Sequence, residues 1–313
     1  MKILVPDTIV LDVHAGPDDQ VVAYDATAPF RPDHTDADAL VVWASSTENL
    51  ADAAARLTRL RWVQTLAAGP DAVLAAGFGP DVTVTSGRSL HDGPVAEHAL
   101  ALVLASVRRL DVLGAAQRAH RWDVDVNRAQ ADPATAARWT LDGARVTIWG
   151  FGSIAARLAP LLSALGAEVT GVAGSRGERH GFPVVTDDDL PDVLATTDVL
   201  VSLLPAVDST RHALDAARID QLPDHAVFVN LGRGATVDED ALVAALHDGR
   251  LGGAALDVTG TEPLPETSPL WDAPRLILTP HVAGNRPQRA SDLVNANLDA
   301  LRAGRELRNV VPR

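Results

Sequence analysis

The run Thr147-Ile148-Trp149-Gly150-Phe151-Gly152-Ser153-Ile154-Ala155 has the residue types and spacing to hold the pyrophosphate of a nucleotide. It reads as a buried strand entering Gly-x-Gly-x-x-Ala, followed by a helix that ends near Gly166. The first glycine permits a tight turn and the second lets backbone approach the phosphates. Amides at the helix start and the positive end of its dipole then hold the charge. Gly150, Gly152, Ser153 and Ile154 are therefore the candidate phosphate contacts. The third position calls for a small side chain so that helix and strand pack closely, and Ala155 meets that need. A glycine turn of this kind also occurs with a purely structural role. The setting gives this one weight: Val146 to Trp149 precede it, and a second strand candidate, Glu168 to Ala173, follows the helix.

An NAD site usually carries Asp or Glu about 20 residues beyond the glycines, where it binds the ribose hydroxyls. Here the second strand candidate runs out as Val172-Ala173-Gly174-Ser175-Arg176, with no carboxylate at that point. A hydroxyl and a guanidinium suit a 2′-phosphate, through charge-assisted paired hydrogen bonds. NADP is thus favoured as cofactor over NAD, with Ser175 and Arg176 as its contacts; the alternative for both residues is a solvated turn, and the sequence does not decide whether Arg176 or Arg179 reaches the phosphate.

Three more polar clusters fall at the ends of strand candidates. They are Asn230-Leu231-Gly232-Arg233-Gly234, then Leu256-Asp257-Val258 through Glu262-Pro263-Leu264, then Thr279-Pro280-His281. Singly, each suits an ordinary turn or strand end. With the glycine loop and Val95-Ala96-Glu97, they stand in the order found in the D-isomer-specific 2-hydroxyacid dehydrogenases. The chain resembles that family over essentially its whole length, and most of all its glyoxylate/hydroxypyruvate reductase branch.

The resemblance implies a hydride transfer between NAD(P)H and a small 2-keto acid, with a proton delivered to the carbonyl oxygen. Histidine is the natural proton donor near neutral pH, and by resemblance it is His281. Glu262 takes the role of the carboxylate that fixes the imidazole's tautomer and favours its charged form. Arg233 would bind the substrate's carboxylate and polarise its carbonyl as charge builds there. The family also uses backbone amides from the loop after an early strand. In Ala67-Ala68-Gly69-Pro70 proline has no N–H, which leaves Ala68 and Gly69 as donors. Asp257 matches the partner of the nicotinamide amide, and Leu204, Pro205 and His281 complete the implied cofactor contacts. Asn285 stands where the family often has Ser or Thr, and can cap the final helix. The formate-oxidising relatives carry Gln in place of Glu262, and the longer phosphoglycerate dehydrogenases continue past the point where Arg313 stands. Both comparisons favour the reductase branch.

These residues need a parallel sheet to carry them. In the first segment Val21-Val22-Ala23-Tyr24, Ala39 to Trp43, Trp62 to Leu66 and Val82-Thr83-Val84 read as strands, with a helix over Asn49 to Leu57. Such alternation predicts a parallel sheet with covering helices. Pro94 then opens a long helix from Val95 to about Ala119, and the stretch from His120 to Asp142 shows no clear period. From Ala144 the alternation restarts, with strands predicted over 145–149, 168–173, 198–204, 226–230, 253–258 and 276–278. Helices are predicted over 153–165, 190–195, 213–221 and 239–247, the last closed by Gly249. A final helix over Gln288 to Arg302 is expected to pack back on the first segment. The predicted fold is α/β, with two doubly wound parallel-sheet domains. A Rossmann cofactor domain, residues 94–284, is inserted into a flavodoxin-like substrate domain made of residues 1–93 and 285–313. The cleft is expected between the two domains.

Composition agrees with a globular enzyme. The chain has 313 residues, 47% of them apolar and 22% charged, enough for two cored domains. A net charge of −14 argues against a nucleic-acid partner. Lys2 is the only lysine, and there is no cysteine for a disulfide, a thiolate nucleophile or a thiolate metal site. No metal is expected. The apolar stretch Ala99 to Val107 is too short to span a bilayer, so a cytoplasmic protein is expected. The family is typically dimeric, with the long helix and the 120–142 arm as the expected interface of a homodimer. Two other readings stay open. One is a nucleotide-sensing, corepressor-like binding protein; the other is a dehydrogenase of another small anion such as phosphite.

Overall fold

The computed structural model describes residues 1–284 and 286–312. The chain divides into two compact units, Met1–His91 with Arg286–Arg313, and Asp92–Asn285.

The first unit begins with β1 (Lys2–Pro6), β2 (Gln20–Tyr24), β3 (Ala39–Val42), α1 (Thr47–Arg56), β4 (Trp62–Thr65), α2 (Asp71–Ala75) and β5 (Thr83–Thr85). Among the described residues its sheet is five-stranded and parallel, in the order β2-β1-β3-β4-β5. That is the flavodoxin-like winding, with its switch point between β1 and β3. The central strands Ala-Leu-Val-Val and Trp-Val-Gln-Thr are buried at every position, as strands covered on both faces must be. Ser46 caps α1 by accepting from Asn49 N–H at 3.0 Å.

The second unit opens with α3 (Asp92–Val107), α4 (Leu110–Arg118) and α5 (Val124–Ala131). The single long helix predicted over 95–119 is therefore two. Arg109 between them sits at φ 53°, and a left-handed residue cannot continue a right-handed helix. The patternless arm holds α5, capped by Asp123 and without a buried residue, which is why no apolar period marks it. Then follow β6 (Arg145–Trp149), α6 (Ser153–Ala164), β7 (Glu168–Val172), β8 (Gly177–Arg179), β9 (Phe182–Val185), α7 (Leu190–Leu194), β10 (Val199–Ser202), α8 (Ala216–Ile219), β11 (Val227–Asn230), α9 (Glu239–Asp248), β12 (Gly253–Leu256) and β13 (Leu276–Leu278). The predicted helix over 213–221 shrinks to α8, because Asp215 caps it at Arg218 N–H and starts it late. Gly249 ends α9 at φ 71°, the left-handed stop that was expected.

The described sheet of this unit has eight strands, in the order β13-β12-β11-β10-β6-β7-β9-β8. Read from β9 through β12 this is the Rossmann winding 3-2-1-4-5-6. The β8–β9 hairpin is an addition that the strand predictions missed, and it is the sheet's antiparallel pair. His180 and Gly181 make its two-residue turn at φ 53° and 82°, the positive pair that such a hairpin requires.

The chain ends with α10 (Ala290–Arg302). It packs into the first unit as expected: Ala290, Leu293, Val294 and Leu298 share a core with Ile3, Val41, Trp62 and Leu66. Asn297 on α10 is fully buried and donates to Gln64 Oε1 at 2.8 Å, so a polar residue in the middle of β4 is satisfied from the far end of the chain. Arg289 occupies the N-cap of α10. Asn285, read as its cap, lies outside the described residues. Among those residues no helix is long and apolar enough to cross a membrane.

Candidate active site

Strand register decides which side chains can meet. Trp149, Ser202, Asn230, Leu256 and Leu278 are aligned across β6, β10, β11, β12 and β13. The segments that follow, Gly150, Leu203 to Pro205, Leu231 to Arg233, Asp257, and Thr279 to His281, thus leave the sheet along one edge. This is the carboxyl edge, where open parallel sheets place their ligands.

At that edge the backbone after β10 is wedged between two glycines. A Cβ on Gly150 would lie 2.8 Å from Leu203 C, and one on Gly232 would lie 2.4 Å from Leu204 O. Gly150 also takes φ 100°. The loop 230–236 is tied to itself: Gly232 N–H donates to Asn230 Oδ1, Asn230 Nδ2 to Arg233 O, and Thr236 Oγ1 to Arg233 O. Arg233 leaves this rigid loop half-buried, with Nη1 donating to Gly232 O at 2.8 Å.

A dinucleotide fits the glycine loop. Gly152 is the N-cap of α6 and brings no side chain to it, so the first amides of the helix, those of Ser153 and Ile154 included, have no intrahelical or capping partner. A Cβ on Gly152 would meet nothing within 4 Å, so open space faces those donors. Ala155 is fully buried against the sheet, and the small third residue serves as expected.

Beyond β7 the two arginines have different surroundings. Arg176 forms an ion pair with Asp189. Arg179, on the hairpin, donates to Ser175 Oγ at 2.6 Å and to Phe151 O in the glycine loop at 3.1 Å. The structure thus joins Ser175 to Arg179, the second of the two arginines between which the sequence does not decide. The His180-Gly181 turn folds Arg179 back toward the strand end.

His281 and Glu262 come together. Nδ1 of the imidazole lies 2.7 Å from Glu262 Oε2, and Glu262 Oε1 accepts from Thr259 N–H at 3.0 Å. Because the carboxylate accepts, Nδ1 carries a proton and Nε2 is the atom left to face a reactant. His281 sits at φ 52°, a costly conformation for a residue with a side chain. Asp257 over-determines it. This buried carboxylate accepts from Thr279 Oγ1 at 2.6 Å and from Val282 and Ala283 N–H at 3.0 Å, while its carbonyl accepts from His281 N–H at 2.8 Å. His98 of α3 adds Nε2 at 3.1 Å from Thr279 Oγ1 and 3.4 Å from Asp257 Oδ1. No local pattern in the sequence announces His98 at the site, because the contact spans 181 residues. A cavity of about 600 Å³ opens beside the His281–Glu262 pair, walled by Pro263, Leu264, Trp271, Leu278 and Pro280.

In the first unit, the loop Ala67-Ala68-Gly69 follows β4 at the carboxyl edge of that sheet. Ala68 is exposed and Gly69 is half-exposed.

Residues 100–283 match the family model described as the NAD binding domain of D-isomer specific 2-hydroxyacid dehydrogenases. Glyoxylate/hydroxypyruvate reductase A of Salmonella choleraesuis is 34% identical over 290 residues, covering 90% of this chain and 88% of the relative. A D-isomer specific 2-hydroxyacid dehydrogenase from Xanthobacter autotrophicus, solved with NADPH, superposes with a TM-score of 0.81 at 30% identity, over 99% of this chain and 97% of the other. An NADPH-dependent glyoxylate/hydroxypyruvate reductase from Sinorhizobium meliloti, solved with NADP and sulfate, gives 0.79 at 28% identity, with 99% and 97% covered.

Proposed function

The chain belongs to the D-isomer specific 2-hydroxyacid dehydrogenase family, an oxidoreductase family, and from that premise we propose that it reduces small 2-keto acids, glyoxylate and hydroxypyruvate among them, with NADPH. The observation that carries the reading is the His281–Glu262 pair, held on the same sheet edge as Arg233 and the glycine loop.

Reduced nicotinamide, when bound, supplies the hydride. The chain's own residues do the rest. Arg233 binds the carboxylate and draws charge onto the carbonyl oxygen. His281 gives that oxygen a proton from Nε2, while Glu262 at Nδ1 keeps the ring oriented and balances its charge. Ala68 and Gly69 offer backbone N–H groups to the substrate's carboxylate. Gly150, Gly152, Ser153 and Ile154 receive the pyrophosphate, with Leu204, Pro205 and Asp257 beside the rest of the cofactor. Ser175, Arg176 and Arg179 take the 2′-phosphate. The relatives solved with NADPH and NADP support that preference. The first unit then serves the substrate and the second the nucleotide. The protein works as a cytoplasmic homodimer. Exposed Leu110, Trp122 and Val124 on α4 and the arm support that assembly, and light scattering tests it.

The test is loss of reduced-nicotinamide absorbance, with NADPH and NADH run in parallel against glyoxylate, hydroxypyruvate, pyruvate and phenylpyruvate. Faster turnover of a small acid with NADPH is expected. An NADH preference discards the roles given to Ser175, Arg176 and Arg179. Tight nucleotide binding with no turnover of any acid discards the reductase reading.

A further inference from the structure

The loop after β4 is held by its carbonyls. Leu66 O accepts from His91 Nε2 at 2.7 Å, and Ala67 O accepts from Gly87 N–H at 2.7 Å. Ala67 N–H is taken by Thr65 Oγ1 at 3.1 Å. The next two amides, Ala68 and Gly69, have no acceptor among the described residues. The segment that does the holding lies against the loop so closely that a Cβ on Gly87 would be 2.0 Å from Leu66 O.

His91 is the unusual member of this clamp. It is 4% exposed, its ring stacks on Trp43 with centroids 5.5 Å apart, and its Nδ1 has no partner. A carbonyl only accepts, so the proton is on Nε2 and Nδ1 is a buried acceptor left empty. A phenyl ring would stack on Trp43 without burying an unpaired nitrogen, which is costly. What the imidazole alone supplies is the N–H to Leu66 O.

We propose that His91 is a positioning residue for substrate: by anchoring Leu66 O it holds the Ala68 and Gly69 amides outward as a carboxylate-binding pair. The proposal rests on the reading that this loop binds the substrate's carboxylate. It places a determinant of 2-keto-acid affinity in the buried segment behind the loop, away from any reacting atom.

Steady-state kinetics on the full-length His91→Phe, His91→Gln and Ala68→Pro variants test it, with thermal melts as a check on folding. His91→Phe keeps the stacking and loses the donor. KM for glyoxylate should rise about three- to tenfold, the range of one hydrogen bond, with kcat and the KM for NADPH within twofold of the parent. His91→Gln retains an N–H and should recover part of the loss. Unchanged glyoxylate KM in His91→Phe overturns the proposal, as does an equal loss in NADPH binding or an unrecovered loss in His91→Gln. Ala68→Pro deletes one amide directly and separates the two failures. If it raises KM while His91→Phe does not, only the positioning role falls. If it leaves KM unchanged, the carboxylate-loop reading falls and the proposal with it.

Discussion

Asp257 is a single carboxylate that sets the backbone around His281. It binds three donors around His281, which is held at a positive φ. Replacing Asp257 with Ala removes the acceptor from all three donors, the amide of buried Ala283 among them. The expected cost is about 3 kcal/mol of stability, with turnover lost because His281 relaxes; thermal unfolding and an activity assay check both. A stable but inactive Asp257→Ala would confine the residue to cofactor contact. Glu262→Gln is the gentler change. It keeps an acceptor for Thr259 N–H but removes the charge beside Nδ1. kcat/KM is expected to fall about a hundredfold with nucleotide affinity unchanged, and full turnover would show that charge beside His281 is dispensable. His281 and Glu262 were legible because the family order of motifs marks them. The staple was not, since Asp257 and Ala283 are 26 positions apart in the chain and only parallel pairing of β12 with β13 brings them together.

Glycines show where elements press on one another and where they merely turn. Gly232 and Gly249 look alike in a sequence, yet they answer to different forces. Gly249 stands at φ 71° in open space, so Gly249→Ala meets strain alone and should cost about 1 kcal/mol, with kinetics unaltered. Gly232 has backbone of Leu204 where its Cβ would go. Gly232→Ala must move the β10 or β11 loop, so nucleotide affinity and turnover should both drop while Gly249→Ala serves as control. Equal kinetic behaviour of the two variants would remove the wedge from the account. The strands were legible to within a few residues because buried parallel strands are short apolar runs between turn residues. The break at Arg109 was not, because side-chain patterning carries no sign of a left-handed residue inside an otherwise helical stretch. The β8–β9 hairpin left a weaker trace, a glycine beside a histidine, in a segment too polar to read as strand.

At the scale of the molecule, the first unit depends on chain that arrives last. Asn297 satisfies Gln64, Val311 N–H donates to Val84 O, and α10 fills the core against Trp62. Asp19 adds an electrostatic clasp: it pairs with the Met1 ammonium at 2.8 Å and with Arg302 of α10 at 2.5 Å. The Met1 ammonium foremost, then Gly16 N–H and Arg302, outweigh partial burial and hold the Asp19 carboxyl at about 2, below its ordinary 3.8. A depressed carboxylate stabilises fully above its unfolded value and stops doing so as pH falls through its folded one. Asp19→Asn should therefore lower Tm by about 2–4 °C at neutral pH, and the gap to the parent should close between pH 4 and pH 2. A gap that persists at pH 2 would mean that the charge is not what matters. The second unit is contiguous, and its two cores draw on residues between Val95 and Ala283. A chain cut after Gly284 should then lose the melting transition of the first unit and all turnover, yet still bind NADPH through the glycine loop, as fluorescence titration would report. Loss of nucleotide binding in the cut chain would mean that the second unit does not stand alone.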